Sequence, residues 1–312
     1  MKKFAFIFPG QGSQYVGMGK DLYDFFPEVK TLYLKANDIL EYDLAKVCFE
    51  GPEKLLVQTR YTQPAIFVHS VALWKILDKE GFVPSYTAGH SLGEYSALRC
   101  SKAFSFEDGL FAVKQRSALM QKACDENEGT MAAIIGLSEE EIKRICEEAK
   151  VEGIVQPANF NSKEQVAISG EVKAVKMGVE LAKSKGAKRA IVLKVSGAYH
   201  SELMRDAKEE MKFVLSKIEI KNAEVPVVFN VTAQAETVSE KIKEHLVQQI
   251  TSPVLWYQSM KYIYDQGIRD FLEIGPGKVL QGLLKRSFDD VNTYGIDKIT
   301  DLEIFLKECS IK

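Results

Sequence analysis

Apolar residues fall in short runs along the chain, each closed by glycine, proline or charge. Phe4-Ala5-Phe6-Ile7-Phe8 is a continuous apolar run stopped by Pro9-Gly10. That pattern predicts a strand buried on both faces. A helical pattern follows over 64–79, with Ala65, Val68, Ala72 and Ile76 near one face. The segment 85–88 predicts a short strand, 89–93 a sharp turn and 94–100 a helix. Ser105-Phe106-Glu107-Asp108 reads as a capping box opening a helix towards Gln121. Strand and helix alternating in this way predict a parallel sheet with helices on both faces.

The middle of the chain changes character. Asp125-Glu126-Asn127-Glu128-Gly129 is polar and reads as a linker. After it the pattern gives strand 130–137, helix 138–149 capped by Ser138 and Glu141, and strand 153–160. Strand 165–169, helix 171–185 stopped by Gly186, and strand 188–195 complete it. The order β-α-β-β-α-β is ferredoxin-like and spans about 65 residues. These elements could instead extend one large sheet, but the hairpin at 160–165 breaks the β/α alternation and favours an insertion. The expected fold is therefore α/β. A large α/β-hydrolase-like subdomain with a parallel sheet (1–127 and 197–312) holds a ferredoxin-like insertion (128–196). Farther on, 225–230 and 271–274 predict strands, and 240–250, 256–266 and 278–286 predict helices. Thr300 and Glu303 read as the cap of a last helix.

Composition narrows the class. With 312 residues, 46% hydrophobic and 27% charged, the chain is globular and not disordered. The formal net charge of −2 offers no general electrostatic footprint for nucleic acid. The longest apolar runs are about five residues, against the roughly 18–20 a membrane-spanning helix needs. Lys2-Lys3 followed by an apolar run starts like a signal peptide, but Pro9-Gly10 ends it too soon. Cys48, Cys100, Cys124, Cys146 and Cys309 are odd in number and contain no CxxC pair. They suit small core positions in a reducing cytoplasm better than a disulfide framework or a zinc site.

Gly89-His90-Ser91-Leu92-Gly93 is a G-x-S-x-G with strand before and helix after, the setting of a nucleophilic serine on a tight turn. A serine needs a base, and four histidines are available. His90 adjoins Ser91 and should point elsewhere. His69 lies in an apolar helical pattern and reads as a core histidine, and His245 as a residue on a solvated helix face. His200 follows a strand, where α/β sites gather catalytic groups, and is the best base by elimination. No acid stands out as a third member, which counts against an ordinary esterase. Pro9-Gly10-Gln11-Gly12-Ser13-Gln14 fits neither a dinucleotide fingerprint nor a Walker A loop. Its backbone N–H groups suit an oxyanion hole, and a plain β-α turn explains it equally well.

These residues carry a resemblance. The chain resembles the acyltransferase family of fatty-acid and polyketide synthesis, above all its malonyl-CoA:acyl carrier protein transacylases. The likeness rests on Phe6–Gln14, Thr62-Gln63-Pro64-Ala65, Gly89-His90-Ser91-Leu92-Gly93-Glu94-Tyr95, Ala158-Asn159-Phe160-Asn161-Ser162 and Glu273-Ile274-Gly275-Pro276-Gly277-Lys278. It implies that Ser91 accepts the acyl group, that His200 is its base, and that Gln249 orients His200 through its backbone carbonyl. It also implies an oxyanion hole from the N–H groups of Gln11 and Leu92, and Arg116 as the residue that binds the malonyl carboxylate. A guanidinium suits that task because it makes two parallel charge-assisted bonds. Two positions depart from the family pattern. Tyr199 stands where malonyl-selective relatives often carry Phe and methylmalonyl-selective ones Ser, and Ser117 stands where Gly is common.

The expected partners are malonyl-CoA and an acidic acyl carrier protein, met by basic residues such as Lys188, Arg189, Lys194, Lys285 and Arg286. No metal, no redox cofactor, no nucleic acid and no membrane is expected, and the chain is expected to act as a monomer. A trans-acting polyketide acyltransferase would share the chemistry. A serine thioesterase or esterase would share Ser91 and His200 but would not need Arg116.

Overall fold

The computed structural model describes residues 2–309. Its strands form two separate sheets. The larger runs β10 (Asn292–Ile296), β9 (Asp270–Ile274), β1 (Phe4–Phe8), β2 (Tyr86–Gly89), β7 (Val227–Val228) and β8 (Ala235–Glu236). All neighbours are parallel except β7 and β8. Every residue of β1 is buried, which is why the strand reads as an unbroken apolar run. Phe8 pairs with Gly89, so the turns that follow β1 and β2 leave the sheet side by side. Loops at the carboxyl ends of adjacent parallel strands are where such folds build sites.

The smaller sheet has the order β4 (Val155–Ser162), β5 (Gln165–Glu171), β3 (Gly129–Ile135), β6 (Arg189–Val192), and every pairing in it is antiparallel. With helices Glu139–Ala149 and Val172–Ser184 it forms the β-α-β-β-α-β unit, and it does not extend the larger sheet. Its own core joins Ile134, Ile142, Ile145, Val166, Ile168 and Val175. The reciprocal Ser138–Glu141 capping box is present, and Gly186 at φ 88° follows the second helix. The unit is stitched to the larger part by β4. Phe160 N–H donates to Val254 O at 2.9 Å, and Val254 N–H donates to Ala158 O at 2.8 Å.

Several local expectations need correction. The helix expected at 64–79 is Thr59–Lys79, with Pro64 inside it. Pro64 lacks the N–H that would bond Arg60 O, and the Tyr42 hydroxyl donates to that carbonyl instead at 3.4 Å. The polar linker shrinks to Asn127 and Glu128, because the helix Phe106–Glu126 runs through Asp125 and β3 starts at Gly129. Thr300 does not cap the last helix, which begins at Ile299. Asp301 reaches back to the N–H groups of Asp297 and Lys298, and Asp21 accepts from Ile299 N–H. His245 is half-buried against the Phe229 ring at 4.9 Å, not solvated. Segment 15–58 carries four helices, Lys20–Phe25, Pro27–Leu40, Leu44–Glu50 and Glu53–Leu56, and a further one is Arg205–Ser216. None of these five was expected. Among the described residues no helix is long and apolar enough to cross a membrane.

Candidate active site

Ser91 sits on a turn that only small neighbours permit. A Cβ on Gly89 would lie 1.8 Å from the backbone carbon of Gly93, and one on Gly93 would lie 2.1 Å from Phe8 O. The two arms of the turn and the end of β1 therefore touch backbone to backbone. Ser91 takes φ 52°, and His200 takes φ 58°. Positive φ in side-chain-bearing residues costs conformational energy and gathers where a site demands it. Both strained residues meet here.

The Ser91 hydroxyl donates to His200 Nε2 at 2.8 Å. His200 Nδ1–H donates to the backbone oxygen of Gln249 at 2.9 Å. A carbonyl only accepts, so the tautomer is fixed: the proton sits on Nδ1 and Nε2 is free to receive. Burial and then the Arg116 charge push the imidazole down to about 3, against the Gln249 carbonyl, which pulls it up. His200 is thus neutral throughout the physiological range. Gln156 Nε2 donates to His200 O and Thr251 O, both at 3.1 Å, so β4 of the small sheet clamps the two loops that carry His200 and Gln249.

Arg116 is fully buried beside the serine. Its Nη2 donates to Ser91 Oγ at 3.0 Å and to Gln249 Oε1 at 2.9 Å, and Nη1 donates to Gln63 Oε1 at 2.7 Å. Nε has no partner. Burial lowers the guanidinium, while Tyr95 and Glu94 raise it. Glu94, also fully buried, accepts from Asn230 N–H and from Gln249 Nε2, the latter at 2.5 Å. Burial pushes its carboxyl up to about 8, with Asn230, Arg116 and Gln249 pulling it down. Asn230 closes the network, accepting from Ser91 N–H at 2.8 Å and donating to Gly89 O at 2.7 Å.

A cavity of about 340 Å³ opens over the serine between the two sheets. Gln11, Leu92, Gln63, Tyr199 and His200 line it near Ser91, and Arg286 lies at its wall farther along. Among the described residues, neither the Gln11 nor the Leu92 N–H donates within the protein, so both donors are available to a ligand oxygen. His90 leaves the turn in another direction. It packs on Trp256 and its Nε2–H donates to Asn161 Oδ1 at 2.9 Å. His69 is a buried core histidine whose Nε2 is 2.9 Å from Asp297 Oδ1. The structure thus brings Ser91, His200, Gln249, Arg116, Gln11 and Leu92 together. Sequence reasoning gave no role to Gln63, Glu94, Asn161, Asn230 or Gln156. Gln63, Glu94 and Asn161 stand inside the recognised motifs. Asn230 and Gln156 carry no local signal.

Of the basic candidates for a docking surface, Arg189, Lys194, Lys285 and Arg286 are exposed. Lys188 is exposed but paired with Glu164 at 3.0 Å. All five cysteines are free thiols, four buried and Cys309 half-buried.

Residues 5–302 match the family model described as the acyl transferase domain. Over 308 residues the chain is 44% identical to the malonyl CoA-acyl carrier protein transacylase of Bacillus subtilis (strain 168), covering 98% of this chain and 97% of that protein. A solved complex of a type II polyketide acyl-carrier protein with its malonyl-transacylase is similar with a TM-score of 0.95 at 42% identity, over 98% of this chain and 100% of that one. The malonyl CoA-acyl carrier protein transacylase of Coxiella burnetii is similar with a TM-score of 0.95 at 39% identity, over 99% and 98%.

Proposed function

The chain belongs to the acyl transferase family, and from that premise we propose that it moves a malonyl group from malonyl-CoA to the phosphopantetheine thiol of an acyl carrier protein through a malonyl-Ser91 ester. One observation carries the reading: Ser91 Oγ lies at once 2.8 Å from the unprotonated nitrogen of His200 and 3.0 Å from the buried Arg116 guanidinium. The first contact activates a nucleophile. The second sets a fixed cation where an acyl group bearing a carboxylate would arrive.

In the first half-reaction Ser91 Oγ attacks the thioester carbon and its proton passes to His200 Nε2. The carbonyl oxygen becomes an oxyanion held by the N–H groups of Gln11 and Leu92, each such donor worth about 3–4 kcal/mol in the transition state. The C–S bond breaks, and CoA leaves as thiol with the proton from His200. The carrier protein's thiol then attacks the ester, giving its proton to His200, and Ser91 departs with that proton. Gln249 O holds Nδ1 throughout. A carbonyl in place of a carboxylate offers the imidazolium less support, which suits a base that returns its proton within each half-reaction. No metal or redox group enters this scheme.

The reading makes the enzyme a supplier of malonyl groups for fatty-acid elongation. A polyketide carrier protein is the second reading, favoured by the relative solved in complex with one. The proposed location is the cytoplasm, in accord with five unpaired cysteines. The proposed acting form is the monomer, since one chain supplies every residue of the scheme. Intact-mass analysis after mixing with malonyl-CoA tests the core claim. A malonyl adduct is expected on the native enzyme and none on Ser91→Ala, and an adduct that survives in the variant refutes the assignment. Release of free malonate with no transfer to a carrier protein would make the protein a thioesterase.

A further inference from the structure

His200 leans on a carbonyl that a helix would ordinarily use for itself. Gln249 is the last residue of helix Ser239–Gln249 and is fully buried. Its oxygen accepts from His200 Nδ1 at 2.9 Å. The helical ladder runs on past it: Ser252 N–H donates to Gln248 O, four residues back, at 3.1 Å. The next rung would carry an N–H from position 253 to Gln249 O. Position 253 is proline, which has no N–H and whose ring disfavours a helical conformation at Ser252. The ladder stops there, and among the described residues no main-chain N–H donates to Gln249 O. The groups around it are committed elsewhere. Thr251 O accepts from Gln156 Nε2 at 3.1 Å, and Val254 N–H donates to Ala158 O at 2.8 Å. Pro253 does not itself line the cavity.

We propose that Pro253 is a positioning residue for the base: by withholding the N–H that would extend the helical ladder, it leaves the Gln249 carbonyl to His200 Nδ1. The inference rests on the malonyl-transfer reading above, in which His200 gains and returns a proton in each half-reaction. A buried carbonyl without a donor is costly, so the acceptor that Pro253 leaves free and the Nδ1–H that takes it hold each other in place. That oxygen also stands at the negative end of an eleven-residue helix, where a transient imidazolium is favoured. A carbonyl has two lone pairs, so a rival N–H need not expel His200. It would share the oxygen, draw off part of its charge and turn it from the line of Nδ1. Position 253 thus acts on the base without touching substrate.

The test measures single-turnover acylation of Ser91 by malonyl-CoA and by acetyl-CoA. Beside it goes the proton NMR resonance of His200 Nδ1–H, assigned by its absence from His200→Ala. The enzymes are the native protein, Pro253→Ala, and a protein with N-methylalanine placed at 253 by nonsense suppression, which has the alanine side chain but no N–H. Pro253→Ala should slow acylation about fivefold or more with both thioesters alike, the weight of one ordinary hydrogen bond, and should move the Nδ1–H resonance upfield. N-methylalanine should restore the native rate and the native resonance. Either readout left at its native value in Pro253→Ala would overturn the proposal. So would a loss confined to malonyl-CoA, or the same loss with N-methylalanine, which would make the proline ring the cause. Should Pro253→Ala fail to fold, the N-methylalanine protein still decides: native rate and resonance sustain the proposal, and their loss overturns it. A native enzyme that neither thioester acylates refutes the underlying reading. Native acylation with an unaffected Pro253→Ala refutes the role of Pro253 alone.

Discussion

Replacing Arg116 by Met keeps most of the side-chain volume and removes the charge. In the free enzyme the guanidinium donates to two neutral amide oxygens, Gln63 Oε1 at 2.7 Å and Gln249 Oε1 at 2.9 Å, besides Ser91 Oγ. A malonyl carboxylate must displace one or both. Losing one member of a buried, hydrogen-bonded charge pair costs about 3–5 kcal/mol. The displaced amide bonds each return about 1 kcal/mol. The net preference for the carboxylate is therefore about 3 kcal/mol, or between one and two hundredfold in kcat/KM. An acetyl group has no carboxylate and loses only the contact from Nη2 to Ser91 Oγ, worth about tenfold. The assay is single-turnover acylation of Ser91 with malonyl-CoA and acetyl-CoA, alongside thermal melts to confirm folding. Arg116→Met should cut malonyl acylation about a hundredfold or more and acetyl acylation by no more than about tenfold. Equal losses for both thioesters would refute the claim that Arg116 reads the carboxylate.

Because His200 is held by the main-chain oxygen of Gln249, Gln249→Ala should leave the base oriented and acetyl transfer within tenfold of native, while the malonyl preference rises about fivefold because the carboxylate no longer has to displace the Gln249 amide oxygen from Arg116; the two rates measured side by side decide it. With its imidazole lowered to about 3, His200 should give malonyl acylation no acid limb near pH 6.5, so a titration there in the rate profile would contradict the buried neutral base. Thermal melts against pH should show two opposed slopes. His200, lowered in the fold, removes stability as pH falls from about 6.5 to about 3, and Glu94, raised to about 8, removes stability as pH rises from about 4.5 to about 8. Glu94→Gln should abolish the second slope, and its persistence would refute the assignment. Gly89→Ala drives a Cβ to 1.8 Å from the Gly93 backbone and should lower the melting temperature by more than about 10 °C or prevent folding.

Legibility along the sequence tracks how local each constraint is. The turn around Ser91 was readable because two glycines, a strand and a helix lie within a dozen residues of one another, and backbone sterics dictate all four. The inserted unit was readable for the same reason: its caps at Ser138 and Gly186 are local chemistry. Helices Lys20–Phe25, Leu44–Glu50 and Glu53–Leu56 are too short to display a 3.6-residue period. Helix Arg205–Ser216 does display it, in buried Ala207, Met211 and Leu215, and could have been found. His200 was singled out by elimination among four histidines and by its place just after a strand. The roles of Gln249 and Arg116 came from resemblance, because a buried arginine and a surface one look alike in sequence. Gln63, Glu94 and Asn230 stayed silent because their burial is a tertiary fact that single-residue chemistry cannot announce.

Those silent residues explain why the site can hold a bare arginine against its nucleophile at all. An unpaired buried guanidinium would carry a large desolvation cost, and a direct carboxylate partner would neutralise it and leave nothing for a substrate. The fold takes a middle course. Glu94 lies one amide away, bonded to Gln249 Nε2, and that bond turns Gln249 Oε1 towards Arg116. The acid thus orients the neutral group that solvates the cation without itself quenching the charge. Gln249 Nε2 also donates to Ser91 O at 2.9 Å, and Asn230 ties Ser91 N–H to Gly89 O, so the same amides hold the strained turn in place. On the proposed reading, selectivity for a carboxylate-bearing acyl group follows from exchange. Neutral acceptors occupy the guanidinium until a charged one arrives, and only a charged one displaces them at a profit.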